Sequence, residues 1–244
     1  MMTPWTITRK AAPMISAVLF DLDETLLDRT TSLVSFLADQ HSRFMNRLGC
    51  APFGVWRDRF LVLDARGRTH KSVVYPALLD EFGGDPKAAG ELLDDYRERC
   101  CQHARGFPGM AEVLGVLRSR GLRLGIVTNG ETAFQMCHVE ALGLVALVDA
   151  VLISEAEGLR KPDAALFLRA ADRLGVNPAH CLFVGDNPEV DILGACAAGM
   201  WTAWFCYGAN WPDHLPPMPD TRIEALSQVL NLIGTAKRQS PQLG

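Results

Sequence analysis

Six residues of this chain could do chemistry together: Asp21, Asp23, Thr128, Lys161, Asp186 and Asp191. Asp21 and Asp23 close the apolar run Ala17-Val18-Leu19-Phe20 with one leucine between them. Two carboxylates at the end of a buried run are costly, because desolvation and mutual repulsion force protonation unless a cation sits beside them. Asp186 closes a second apolar run, Cys181-Leu182-Phe183-Val184-Gly185, and Asp191 follows five residues later. Thr128-Asn129 closes a third, and Lys161 is the one basic residue set to join them. One ammonium against four acids leaves a deficit of positive charge, which predicts a divalent cation. Hard oxygen ligands with room for water and a phosphate group suit Mg2+. Within such a set Asp21 reads as a nucleophile, whose attack on phosphorus would split a slow hydrolysis into two easier steps. Asp23 is placed to give a proton to the leaving oxygen and then to take one from water.

These residues meet only if the runs they end are neighbouring strands. From residue 106 onward helical and strand patterns alternate: helices over 110–120, 131–142, 162–174 and 189–198, and strands over 122–128, 148–154, 181–185 and 202–205. Such alternation builds a parallel sheet with helices on both faces. The fold class expected is α/β, a doubly wound, Rossmann-like parallel sheet core with an inserted all-helical cap domain. Ligands of such sheets bind beyond the carboxyl ends of the strands. Residues 14–27 and 107–235 are assigned to the core, the last of them to a closing helix over 222–233. Residues 28–106 carry apolar spacing of helical period and no strand, with a first helix capped by Thr30 or Thr31, and are assigned to the cap. Residues 1–13 read as an N-terminal extension and 236–244 as a frayed tail.

The 244 residues are 48 % hydrophobic with a formal charge of −4. That balance suits a sizeable core and favours neither nucleic acid nor a membrane surface as partner. No stretch approaches the roughly 20 apolar residues of a membrane span, and no apolar block follows Arg9 and Lys10 as a signal peptide requires. Seven cysteines without disulfide-like or metal-like spacing point to a reducing, cytoplasmic setting. In the cap, Arg66, Arg68, His70 and Lys71 cluster in a connector, and Arg66, Arg68 and Lys71 are candidates for contact with an anionic leaving group. Trp201, Trp204, Phe205, Tyr207 and Trp211 read as core and edge packing.

Asp21-Leu22-Asp23-Glu24-Thr25, Thr128-Asn129-Gly130, Lys161-Pro162 and Gly185-Asp186 with Asp191 resemble, in order, the four motifs of the haloacid dehalogenase-like hydrolase superfamily. The resemblance spans residues 21 to 191. It implies a phosphatase acting through an aspartyl-phosphate on Asp21, with Thr128, Asn129 and Lys161 binding the phosphoryl group. It also implies Mg2+ held by Asp21, Asp186 and the backbone carbonyl of Asp23, with Asp191 in the metal's outer shell or orienting the lysine. Glu24 departs from the pattern, since many members have glycine there; the turn is expected to avoid a glycine-only conformation. Capped members take small phosphorylated metabolites, so such a metabolite is the expected partner of a monomer or homodimer. The alternatives are a phosphosugar mutase or dehalogenase of the same fold, or a catalytically idle binding module. The second acid at 23 and the threonine at 25 favour phosphomonoester hydrolysis.

Overall fold

The computed structural model describes residues 14–216 and 219–233. The extension over 1–13 and the tail over 236–244 lie outside the described residues. In chain order the elements are β1 (Ala17–Phe20), α1 (Arg29–Phe44), α2 (Phe53–Asp64), α3 (Lys71–Phe82), α4 (Ala88–Arg99), α5 (Met110–Ser119), β2 (Arg123–Thr128), α6 (Thr132–Ala141), β3 (Ala150–Ile153), α7 (Ser154–Glu157), α8 (Ala164–Leu174), β4 (Cys181–Gly185), α9 (Leu193–Ala197), β5 (Trp201–Phe205), β6 (Thr221–Ile223) and α10 (Val229–Leu232). A π turn, Pro188–Ile192, links β4 to α9.

The six strands form one sheet in the order β3-β2-β1-β4-β5-β6, and every pairing is parallel. The order reverses between β1 and β4, so the crevice of a doubly wound sheet opens where those two strands end. Their residues are apolar and fully buried because helices cover both faces, which is why they read as continuous runs rather than alternations. Leu19, Val127, Leu152, Phe167, Leu174, Phe183 and Ala195 pack together on the sheet. One strand is not legible in the sequence: Thr221–Ile223 pairs with Ala203–Phe205, where a closing helix over 222–233 is expected. That helix is confined to a short 3-10 turn and Val229–Leu232.

The chain divides into two compact units. The sheet unit comprises the described residues up to Thr25, Pro108–Gly130 and the described residues from Val145 onward; the other comprises Leu26–Phe107 and Glu131–Leu144. The second unit is helical, with Phe36, Leu37, Trp56, Phe60, Tyr75, Leu78 and Leu92 in its core. The expected boundaries, 28–106 for the cap and 14–27 with 107–235 for the core, differ from this division by one or two residues at 26–27 and 107 and, more widely, over 131–144. The cause is packing that periodicity does not report: the Phe134 ring stacks on Tyr96 at 5.1 Å, and Cys137 is disulfide-bonded to Cys101. That disulfide also departs from the all-thiol reading of the cysteines, because residues 36 apart in sequence are brought within 5.8 Å between Cα atoms. Asp28, rather than Thr30 or Thr31, caps α1, its carboxylate accepting from Thr31 N at 2.9 Å. No helix among the described residues is long and apolar enough to cross a membrane.

Candidate active site

Asp21 directly follows β1 and is tied into the sheet, its backbone N–H donating to Val184 O at 2.9 Å. Its carboxylate is buried, with Oδ1 accepting from Lys161 Nζ at 2.5 Å and Oδ2 from Thr25 Oγ1 at 3.2 Å. Lys161 Nζ donates also to Asp191 Oδ1 at 2.7 Å, so one buried ammonium bridges two buried acids. Asp191 in turn takes the backbone N–H of Asn187 on Oδ2 at 3.0 Å. Both of its oxygens are thereby engaged, which suits a residue that orients the lysine.

Three elements position that lysine. Asn129, just past β2, grips its backbone twice: Asn129 Nδ2 donates to Lys161 O and Lys161 N donates to Asn129 Oδ1, both at 3.0 Å. Gly130 N donates to Ser154 Oγ at 3.0 Å, tying the same turn to the start of α7. The π turn holds Asp191, and Asn187 Oδ1 caps it by accepting from Glu189 N and Val190 N at 3.1 Å. Gly185 is glycine because a Cβ there would lie 2.6 Å from Asp191 Cβ and Oδ2.

Carboxylate oxygens of Asp21, Asp186 and Asp191 all lie within 4.8 Å of one another. Oxygens that close, all hard, fit a small divalent cation. Asp186 is half-buried, and its backbone carbonyl accepts from Trp204 Nε1 at 2.8 Å. Burial pushes the Asp21 carboxyl up to about 7; Lys161 opposes that push and the charges of Asp191 and Asp23 add to it. Burial works against the Lys161 ammonium, yet Asp191 and then Asp21 outweigh it and hold the lysine firmly protonated.

Of the residues singled out in the sequence, Asp21, Lys161, Asp186 and Asp191 meet at the switch point of the sheet. Thr128, buried, and half-buried Asn129 end the neighbouring strand, and half-buried Asp23 lies two residues beyond Asp21. The basic connector is split. Lys71 is buried in the helical unit and paired with Asp64, which also takes Arg29 Nη2 on both oxygens at 3.0 and 3.1 Å. Arg66 and Arg68 are exposed, and His70 caps α3 through Nδ1, which accepts from Ser72 N at 3.2 Å. Ser154 and Asn187 also hold the site and carry no functional assignment from the sequence. Asn187 before Pro188 carries a capping signal, but nothing local marks Ser154.

Glu24 reverses an expectation. It adopts φ +59°, in the left-handed region the turn was expected to avoid, at a cost of about 1 kcal/mol for a residue with a Cβ.

The family model described as haloacid dehalogenase-like hydrolase matches residues 15–199. A glyceraldehyde 3-phosphate phosphatase of Methanopyrus kandleri is 31 % identical over 230 residues, covering 90 % of this chain and 97 % of that protein. A HAD phosphatase from Thermococcus onnurineus superposes with a TM-score of 0.63 at 29 % identity, covering 91 % of this chain and 99 % of that one. A 2-haloacid dehalogenase from Pseudomonas syringae superposes with a TM-score of 0.60 at 31 % identity, covering 90 % and 98 %.

Proposed function

We propose that this chain, which belongs to the haloacid dehalogenase-like hydrolase family, hydrolyses small phosphomonoesters through Asp21. The observation that carries the reading is a second acid, Asp23, two residues past a buried carboxylate already paired with Lys161. Expelling an alkoxide needs a proton donor, whereas displacing a halide from carbon does not, so Asp23 favours a phosphate ester over a haloacid.

A carboxylate oxygen of Asp21 forms the new bond to phosphorus as the ester P–O bond breaks, and Asp23 gives its proton to the departing oxygen. Asp23 then takes a proton from water as that water's oxygen attacks phosphorus. Asp21 is returned as a carboxylate and inorganic phosphate leaves. Lys161 neutralises the charge on Asp21 and on the transferring group, and Thr128 and Asn129 hold phosphoryl oxygens. Asp21, Asp186 and the Asp23 backbone carbonyl would hold Mg2+, which when bound would neutralise phosphate charge and keep Asp21 ionised.

The substrate class is a small phosphorylated metabolite, the class to which the substrate named for the Methanopyrus kandleri phosphatase belongs. Arg66 and Arg68, both exposed, are proposed for contact with an anionic leaving group; Lys71 is buried and paired with Asp64, which removes it from that role.

The test is phosphate release from p-nitrophenyl phosphate and a panel of phosphorylated metabolites with and without Mg2+. Turnover is expected to need the metal and to fall by about 10³-fold or more in Asp21→Asn, as for removal of a nucleophile. Halide release from a haloacid without metal, in place of phosphate release, would establish the dehalogenase; binding of phosphate esters without turnover would establish an idle module.

A further inference from the structure

Two of the four non-glycine residues with positive φ among the described residues are Glu24 and Tyr207, and they are joined: the Tyr207 hydroxyl donates to the Glu24 carbonyl. Each sits in a turn that would ordinarily use glycine or asparagine. Thr25 N donates to Leu22 O at 3.2 Å, closing a turn whose corner is Asp23-Glu24 and whose third residue, Glu24, has φ +59°. Ala209 N donates to Cys206 O at 2.8 Å, closing another in which Tyr207 and Gly208 both have positive φ, at +49° and +76°. A bulky residue in that region is uncommon and marks a conformation imposed by its surroundings. The Tyr207 ring, 44 % exposed, stacks on Phe205 at 4.4 Å with 26° between the planes. This aromatic, two residues past β5, thus reaches 183 residues back in sequence to the carbonyl that follows Asp23.

Resting on the phosphatase reading above, we propose that Tyr207 is a positioning residue for Asp23. Its hydroxyl clamps the left-handed Glu24 peptide and so holds the preceding carboxyl where it can protonate the leaving oxygen. Without the clamp, the turn relieves Glu24 by leaving the left-handed region, and Asp23 turns with it. Glycine at 24 would remove that driving force, because glycine adopts positive φ without a Cβ clash. In this chain the tyrosine does at a distance what glycine would do locally.

The test compares an alkyl phosphomonoester, which needs a proton on its departing oxygen, with p-nitrophenyl phosphate, which does not. In Tyr207→Phe, which keeps the ring and loses the hydroxyl, kcat/KM on the alkyl ester, which reports the steps up to loss of the alcohol and not the shared hydrolysis of the aspartyl-phosphate, is expected to fall about 10-fold, a fraction of what general-acid catalysis supplies. On the aryl ester it should change little. The double variant Tyr207→Phe with Glu24→Gly is expected to regain most of the alkyl rate. A merely structural role for Tyr207 would slow both esters alike and would leave glycine at 24 without effect. Equal losses on the two esters, or no rescue, overturn the inference while leaving the phosphatase reading intact. A native chain that hydrolyses neither ester overturns both.

Discussion

Burial acts on the Asp21 carboxyl in one direction and Lys161 in the other, and burial prevails, aided by Asp191 and Asp23. Without metal the group therefore titrates near 7 rather than near 3.8. Below the ordinary carboxyl range it is protonated whether the chain is folded or not, and it adds no pH dependence. Between there and about 7 the folded protein keeps a proton that the unfolded chain gives up, so stability falls as pH rises through that window. On the function proposed above, Mg2+ would bind the ionised form and so release that proton. Calorimetry at pH 6 in buffers of different ionisation heat should show proton release on Mg2+ binding in the native protein and little in Asp21→Asn. Equal proton release in the two would mean that Asp21 is not the group that titrates. The type of residue at 21, 23, 161, 186 and 191 was legible from the chain alone, because acids ending apolar runs are too costly to be incidental. That Asp191 spends both oxygens on Lys161 and Asn187 was not, since it depends on where the π turn carries the side chain.

The elements that bring these residues together tolerate little change in volume. Strand β4 ends on Gly185 because Asp191 lies against it, leaving no room for a methyl group. Gly185→Ala should cost about 1–3 kcal/mol, as overpacking does, and should lower activity by moving Asp191 off Lys161. Urea unfolding and phosphate release measure the two effects, and a variant as stable and as active as the native chain would show that the strand end yields freely. Buried parallel strands announced themselves as continuous apolar runs, which is why β1 to β5 were legible. The three-residue strand β6 has a half-buried, an exposed and a buried residue, and so shows neither an apolar run nor a long alternation. Its pairing with β5 is decided by the sheet edge that β5 offers. Helix α6 carries the right period, but its partners Tyr96 and Cys101 lie more than thirty residues away, and no window of sequence contains them.

At the scale of the molecule, each unit holds together around its own buried charges as well as its own apolar core. In the helical unit Asp64 takes Arg29, Lys71 and the Gly67 N–H at 2.8 Å, and Lys71 also lies 5.2 Å from the centroid of the Tyr96 ring. Removing the acid strands a buried ammonium, whose proton burial already makes easier to lose. Asp64→Ala should therefore cost about 3–5 kcal/mol, as when one partner of a buried pair is deleted. Hydrogen exchange should show the lost protection over 26–107; unchanged protection there would mean the network contributes nothing. The sequence by itself determined the order of β1 to β5 with the helices between them, a helical insertion and the candidate reactive residues, because periodicity and the cost of burying charge are local properties. Only the tertiary structure decided which carboxylates share Lys161, that α6 packs with the helical unit, and that Tyr207 reaches Glu24. Those are distances between residues far apart in the chain, and such distances exist only once the sheet has ordered its strands.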